Sequence, residues 1–325
     1  MPKSYLNYID YVNNTIVIPN VKPYTAIDLF AGCGGLSLGF EASGIKTIGY
    51  EMVEDCCITY SNNLRSECHQ EKITTETNYP KARIVIGGPP CQPFSRRGKQ
   101  TGGNDERNGF PAYINAIKKI QPDIWVCENV KGLPEQNKEY FQSVLNELSS
   151  LGYKVECQIF RLVQFDVPQN RERLVIVGHH GGYKFPKPND YKITAGEALG
   201  TFAMQVPDNA VFLTPTMDEY IAKYELASQC KNPRDLHLDR PARTLTCRNL
   251  AGATSDMHRI KLPDGRRRRI TVREAARLQG FPDWFEFYGT EESRFTQIGN
   301  AVPPTFSYKM ALSVLEYMDG ISNGL

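Results

Sequence analysis

The chain has 325 residues, 41% of them hydrophobic and 23% charged, with a formal net charge of +2. That length accommodates one large or two modest domains with a substantial core, and the composition argues against disorder. No apolar run reaches the roughly 18 residues of a membrane span, and Met1-Pro2-Lys3-Ser4-Tyr5 lacks the apolar core of a signal peptide, so a cytoplasmic protein without membrane contact is expected. Nine cysteines, an odd number, show neither a CxxC pair nor a Cys/His zinc spacing, which points to reduced thiols and no metal.

From 25 to 178 the chain alternates between strand and helix patterns. Thr25–Phe30 reads as a strand, followed by Gly32-Cys33-Gly34-Gly35 and a helix through Ala42. Lys46–Tyr50 is a second strand and a helix starts at about Val53. Ala82–Ile86 reads as a buried strand that breaks at Gly87-Gly88 into Pro89-Pro90-Cys91-Gln92-Pro93-Phe94-Ser95. Pro111–Ile120 is helical and Asp123–Glu128 a strand. Phe141, Val144, Leu145, Leu148 and Leu151 then mark one face of a helix that Gly152 ends. Tyr153–Phe160 and Leu174–Gly178 complete the pattern as strands. Such alternation implies an α/β fold: a mainly parallel, twisted sheet with helices on both faces. From Gly181-Gly182 to about Pro263, Pro, Asn, Asp and Gly recur without a helical period, which suggests a second, loop-rich and partly β module. Thr271–Leu278 and Pro304–Met318 read as helices, with Gln297–Pro304 a turn into the latter. Residues 1–24 carry no assignable role.

Several segments carry candidate chemistry. Prolines fix φ around Cys91 and push their preceding residues toward extended geometry. They hold the thiol at the carboxyl edge of the sheet, where open α/β folds bind ligands. A small buried thiol in a proline-rich turn is the competing reading. The loop from Asp28 to Gly35 follows a strand and opens a helix, and Glu51 ends the next strand 19 residues after Gly32. Nucleotide-binding folds often place a ribose-binding acid there. The pattern is G-x-G-G, so the dinucleotide fingerprint is not met and an adenosyl ligand suits it better. Glu128 leaves an apolar strand; partial desolvation would raise its pKa and suit it to proton sharing, although strand ends commonly carry an acid. Arg171 and Arg173, at i and i+2, point to one side of an extended segment and can grip a carbonyl oxygen or phosphate. Finally, residues 231–273 hold twelve basic residues against four acidic ones, a local excess suggesting either a polyanion-docking face or a solvated charge run.

Taken in order, these motifs resemble the cytosine-C5 DNA methyltransferases. The resemblance rests on Asp28–Gly35, Pro89-Pro90-Cys91-Gln92, Asp105-Glu106-Arg107, Glu128-Asn129-Val130, Gln169-Asn170-Arg171-Glu172-Arg173, Arg273–Pro282 and Gly299-Asn300-Ala301-Val302-Pro303-Pro304. It spans Thr25 to Met318 apart from the middle of the loop-rich module. It implies a Rossmann-like S-adenosylmethionine-dependent methyltransferase domain over 25–180 plus 296–325, a target-recognition domain over 181–270, and a hinge region over 271–295. The implied cofactor is S-adenosyl-L-methionine, with S-adenosyl-L-homocysteine as product and no metal.

The implied substrate is double-stranded DNA carrying a cytosine flipped out of the stack. By the same matching, Cys91 adds to C6, Glu128 bonds N3 and the exocyclic amine, and Arg173 holds O2 with Arg171 in support. Asp28, Phe30, Gly32, Gly34 and Gly35 match cofactor contacts, together with Glu51, Met52, Ile73, Pro90, Asn300 and Val302. Gln92, Ser95 and Arg107 match DNA contacts, the last two in a segment, Ser95–Asn108, that resembles the one closing over the duplex. The basic run Arg240–Arg269 becomes an expected DNA face, with Arg240, Arg243, Thr244, Thr246, Arg248 and Arg269 as contacts. One departure concerns the adenine site: Lys72-Ile73 stands where the family usually has Asp-Ile, leaving Glu71, backbone groups or Ile73 to hold the base. The resemblance further implies a monomer that modifies the site cut by a cognate restriction endonuclease, without binding that enzyme. A tRNA cytosine methyltransferase is the alternative; a cofactor-binding regulator with a dead site is disfavoured by the intact Cys91, Glu128 and Arg173.

Overall fold

The computed structural model describes residues 7–19, 22–90, 108–227, 229, 234–252 and 256–323. A short helix, α1 (Tyr8–Thr15), precedes strand β1 (Thr25–Leu29). There follow α2 (Gly35–Ala42), β2 (Lys46–Glu51), α3 (Glu54–Asn63), β3 (Cys68–Gln70), β4 (Ile84–Gly87), α4 (Phe110–Ile120) and β5 (Ile124–Val130). Next come α5 (Gly132–Gln136), α6 (Lys138–Ser150), β6 (Lys154–Arg161), β7 (Gln169–Asn170) and β8 (Glu172–His179). Seven strands form one sheet in the order β3-β2-β1-β4-β5-β8-β6. Adjacent strands from β3 to β5 pair in parallel, and β8 runs antiparallel to both β5 and β6.

Burial explains which strands lie inside. All four residues of β4 are buried, as are the first four of β5, so these strands read as continuous apolar runs. The outer strand β6 exposes Lys154 and Cys157–Ile159. One face of the sheet packs Ile84, Ile86 and Val126 against Phe306, Met310 and Val314. The other packs Val85, Trp125 and Ile176 against Tyr113, Ile117, Val144 and Leu148. Strand order reverses between β1, which leads to β2, and β4. That topological switch opens a crevice at the strand carboxyl ends, and both the glycine loop after β1 and Pro89-Pro90 after β4 border it.

The loop-rich segment contains α7 (Ala195–Leu199), α8 (Pro215–Ala227), β9 (Ala242–Arg243), α9 (Cys247–Ala251), β10 (Arg259–Lys261) and β11 (Arg267–Arg269). It is partly β, as expected: β10 pairs antiparallel with β11, and β9 pairs in parallel with β7. Helix α8 was not anticipated. Ile221 is its one buried residue, so the sequence offers no apolar stripe to reveal it. Helices α10 (Val272–Leu278), α11 (Glu291–Asn300) and α12 (Pro304–Asn323) close the chain. Gln297–Asn300, read as a turn, belongs to α11; the turn itself is confined to 301–303.

Residues before β1 acquire a place in this packing. Tyr8, Val12 and Ile16 join a core with Ala195, Leu199, Phe281 and Phe285. Tyr8 donates to the Asp166 carbonyl at 2.8 Å, and Trp284 Nε1 to the Ile16 carbonyl at 3.1 Å. Helix α1 thus braces the sheet domain against the segment after α10. Among the described residues, no helix is long and apolar enough to cross a membrane.

Candidate active site

The crevice begins with a sharp turn after β1. Phe30, Gly32 and Gly34 have φ of +61°, +54° and +88°, a region glycine enters without steric cost. A β-carbon on Gly32 would meet nothing within 4 Å, so this corner faces open space; one on Gly34 would strike Leu64 at 2.7 Å. Gly35 lies tight under the C-terminal turn, where a β-carbon would stand 2.5 Å from the Val302 carbonyl oxygen. Val302 is buried there, and Asn300 beside it is exposed.

Glu51 ties this loop to the end of β2. Its Oε2 accepts from Gly32 N at 2.9 Å, and its Oε1 accepts from Met52 N and Val53 N at 2.8 and 2.9 Å. A carboxylate offers about four acceptor positions, so Glu51 retains capacity for a hydroxyl of a bound ligand. Met52 is exposed beside it. In the next loop Glu71 accepts from Thr77 Oγ1 at 2.8 Å, and its N–H donates to the Glu51 carbonyl. Ile73 is buried with Tyr50 in a cluster against which Phe30 packs, whereas Lys72 is exposed. An apolar wall, an open glycine corner and a strand-end acid fit an adenosyl group.

Asp28 does not fit the expectation of a cofactor contact. It is almost fully buried below the loop, where Ser37 Oγ donates to its Oδ2 at 2.6 Å. Burial raises its pKa to about 7, because the charged form is poorly solvated there. Through Ser37 it joins Tyr60, Thr47 and Glu41 in a buried hydrogen-bonded chain. Its part is to brace the start of α2.

Across the crevice, Pro90 O accepts from Gly109 N at 2.9 Å. A β-carbon on Gly109 would meet Pro90 at 2.5 Å and the Phe30 ring at 3.0 Å, so both residues flank that glycine. Asn129, buried near the end of β5, donates to the Pro89 carbonyl at 3.0 Å. This bond anchors the segment that continues into Cys91, a role that Asn129 as a motif letter did not disclose. Cys91, Gln92, Ser95 and Arg107 themselves lie outside the described residues, as does 95–107 of the Ser95–Asn108 segment.

Glu128 and Arg173 meet on adjacent strands. Register pairs Val130 with Arg173 and Glu128 with Val175, which makes Glu128 and Arg173 diagonal neighbours on one face. Arg173 Nε lies 2.7 Å from Glu128 Oε1, with both side chains 14% exposed. The other carboxylate oxygen faces β4: a β-carbon on Gly88 would come within 3.5 Å of Oε2. Burial lowers the Arg173 pKa while Glu128 opposes that shift. The result is a half-dry carboxylate–guanidinium pair beside the Pro89-Pro90 edge.

Arg171, expected to support Arg173, makes its hydrogen bonds to the backbone of other segments. Its Nη1 donates to Leu245 O at 2.7 Å and Gly299 O at 3.3 Å, and its Nη2 to Gly299 O at 3.3 Å and Ala301 O at 3.2 Å. The guanidinium bonds backbone carbonyls of other segments, and the Arg173–Glu128 pair acts on it through its charges.

Within the expected DNA face Arg240–Arg269, two arginines turn inward and several others are engaged by carboxylates. Arg259 and Arg268 are fully buried; Arg259 pairs with Asp235 and Glu225, and Arg268 with Glu274. Arg267 pairs with Asp218 and Asp235, Arg269 with Glu291, and Arg243 with Asp256. Thr246 caps α9 through Asn249 N, and Thr244 Oγ1 donates to the Asn170 carbonyl. The local charge excess is partly offset in the fold, because Asp218, Glu225, Glu274 and Glu291 lie outside the counted window yet fold against it. Arg240, paired with adjacent Asp239, Arg266, paired with Asp264, and Arg248 and Lys261 remain exposed.

A mostly parallel seven-stranded sheet with its crevice at the β1/β4 switch defines a methyltransferase fold. Superposition agrees: Entamoeba histolytica methyltransferase EhMeth matches with a TM-score of 0.72 at 16% identity, covering 91% of this chain and 99% of that one. The S. pombe Dnmt2 methyltransferase matches with a TM-score of 0.68 over 91% and 99%. In sequence, Type II methyltransferase M.AplI of Arthrospira platensis is 52% identical over 95% of this chain and 91% of its own length. M1.HphI of Haemophilus parahaemolyticus is 34% identical over 90% and 87%. A family model for the C-5 cytosine-specific DNA methylases matches residues 24–316. The chain belongs to that family.

Proposed function

We propose that this protein transfers a methyl group from S-adenosylmethionine to C5 of a cytosine extruded from duplex DNA, as the modification enzyme of a type II restriction system. The observation that carries the reading is the Glu128–Arg173 pair, 2.7 Å apart beside the Pro89-Pro90 edge that leads into Cys91. Cytosine C5 is too weak a nucleophile to take a methyl group unaided. Addition of the Cys91 thiolate to C6 forms a C6–S bond, shifts the C5–C6 π pair to C4–C5 and so makes C5 enamine-like, with the displaced electron pair taken up by the ring nitrogen N3. Glu128, through the oxygen not bound by Arg173, bonds N3 and the exocyclic amine and favours N3 protonation. Arg173 holds O2 while keeping the carboxylate oriented. Removal of the C5 proton after transfer expels the thiolate and restores the ring. A free thiol ionises near ~8.5, so activation of Cys91 belongs to the closed complex with DNA.

The cofactor, when bound, supplies an electrophilic methyl group on a sulfonium. Glu51 holds its ribose hydroxyls, Phe30, Ile73 and Pro90 line the adenosyl group, and Gly32 leaves room for close approach. Asn300 and Val302 close the pocket from the C-terminal side. Lys72 supplies no carboxylate for the adenine amine, and Glu71 is engaged by Thr77; backbone groups and Ile73 take that part. The reading further holds the enzyme to be a cytoplasmic monomer that protects sites cut by a separate endonuclease.

Bisulfite sequencing of duplex DNA treated with the enzyme and S-adenosylmethionine tests this directly, with tRNA as a parallel substrate. Methylated cytosines in one DNA sequence context are expected, and Cys91→Ala should abolish them while S-adenosylhomocysteine still binds. DNA with 5-fluorocytosine at that position should trap the wild-type enzyme covalently. Methylation of tRNA alone, or turnover by Cys91→Ala, would overturn the assignment.

A further inference from the structure

A buried polar cluster joins the recognition module to the rim of the cofactor crevice, and the chemistry above makes no use of it. Gln169, Arg171 and Gln279 are all buried. Gln169 Oε1 accepts from Leu245 N at 3.0 Å, while its Nε2 donates to Gln279 Oε1 at 2.6 Å and to Leu278 O at 3.0 Å. Gln279 Nε2 donates to Ala301 O at 2.6 Å. Arg171 bonds Leu245 O on one side and Gly299 O and Ala301 O on the other. Leu245 is therefore held at both its N–H and its carbonyl, and Ala301 O by two separate donors.

These two anchored residues sit at functional margins. Leu245 lies between Thr244 and the Thr246–Arg248 start of α9; Ala301 lies between Asn300 and Val302. Gly299 also presses on this junction, since a β-carbon there would come 2.3 Å from Cys247 N. Arg171 is a buried cation whose hydrogen-bond partners are carbonyls, an arrangement that is costly to hold. Burial and Arg173 both depress its pKa, with Glu128 opposing. A planar, rigid guanidinium serves two segments at once, so neither can shift without disturbing the bonds of the other.

We infer that Gln169, Arg171 and Gln279 are positioning residues that couple the segment Thr244–Arg248, whose Arg248 stays exposed and is the side chain there open to a DNA phosphate, to the turn Asn300–Val302 at the cofactor crevice, so that filling either side strengthens binding at the other. The inference rests on the functional reading above. A ligand that orders one segment fixes the shared carbonyls for the second ligand, and linkage requires the same factor in both directions. A cluster that only stabilised the fold would change both affinities and leave their ratio alone.

The test is calorimetric titration of the full chain with S-adenosylhomocysteine, alone and saturated with the duplex identified by bisulfite mapping. Wild type should bind at least about fivefold more tightly with DNA present, the low end of ordinary coupling. In Arg171→Lys and Gln279→Leu that ratio should fall to within about twofold of unity, by the same linkage relation. If Arg171→Lys melts early, Gln279→Leu decides, because it leaves every Arg171 bond in place. Independent binding in wild type, or the wild-type ratio in folded Gln279→Leu, would overturn the coupling. A wild-type chain that binds neither ligand would instead refute the functional reading.

Discussion

Arg268→Met is expected to lower stability while leaving DNA binding by the folded protein unchanged. Arg268 is fully buried, and its Nη1 and Nη2 donate to Glu274 Oε2 and Oε1 at 2.8 and 2.7 Å. Further bonds reach the carbonyls of Gln205 and Phe202 at 3.2 and 3.1 Å. Methionine approximates the volume but leaves the Glu274 carboxylate, itself buried, with Thr271 as its hydrogen-bonding neighbour. Breaking one side of such a pair costs about 3–5 kcal/mol. With an unfolding entropy of about 2.1 cal/mol/K per residue over the chain, that lowers Tm by about 4–7 °C. Differential scanning calorimetry measures the fall, and the slope of log K against log salt measures phosphate contacts. That slope should match wild type for Arg268→Met and shrink by about 0.9 for Arg248→Ala, if Arg248 meets one phosphate. Adding Glu274→Gln to Arg268→Met should recover part of the lost stability by removing the stranded charge. A wild-type Tm combined with weakened DNA binding in Arg268→Met would refute the inward assignment.

Asp28→Asn tests the buried carboxyl. Its folded pKa, raised to about 7, lies above the unfolded value of about 3.9, so the folded state holds the proton longer. Stability from this group is full below the unfolded pKa and is lost as pH rises through about 7. The Tm of Asp28→Asn should therefore gain on wild type between pH 4 and 7 (about the two pKa values); parallel Tm profiles would contradict this. Glu128→Gln should lower turnover by about a hundredfold or more with S-adenosylhomocysteine affinity unchanged, as read by single-turnover methyl transfer beside a binding titration. Gly35→Ala places a methyl group 2.5 Å from Val302 O. It should cost about 1–3 kcal/mol and weaken cofactor binding, measurable by thermal melts with and without S-adenosylhomocysteine.

Much of the sheet domain could be read from local pattern. Val85, Ile86, Trp125 and Val126 announce central strands because both faces of such strands are apolar. Phe141, Val144 and Leu148 announce α6 because a helix buries one stripe, and these three are its buried residues. Helix α8 escaped because it buries Ile221 alone, and α1 because its apolar positions make sense only against Leu199 and Phe285. At the site, Glu128 and Arg173 were legible as motif residues. Their 2.7 Å contact was not, since it depends on β8 running antiparallel beside β5.

The order and chemistry of the motifs determine the family and nominate Cys91, Glu128 and Arg173, because the chemistry the family performs needs a thiol, a carboxylate and a guanidinium at fixed places along the chain. The destination of a charge is another matter. Arg171, Arg173, Arg259 and Arg268 are the same residue type in similar polar surroundings of the chain, yet one pairs with the Glu128 carboxylate beside the crevice and three are buried braces. Glu128 for Arg173, Glu225 for Arg259 and Ala301 for Arg171 come from distant positions that folding alone brings near, whereas Glu274 lies six residues from Arg268. An arginine's role is set by which acid or carbonyl it meets across space, and composition within a window does not contain that information.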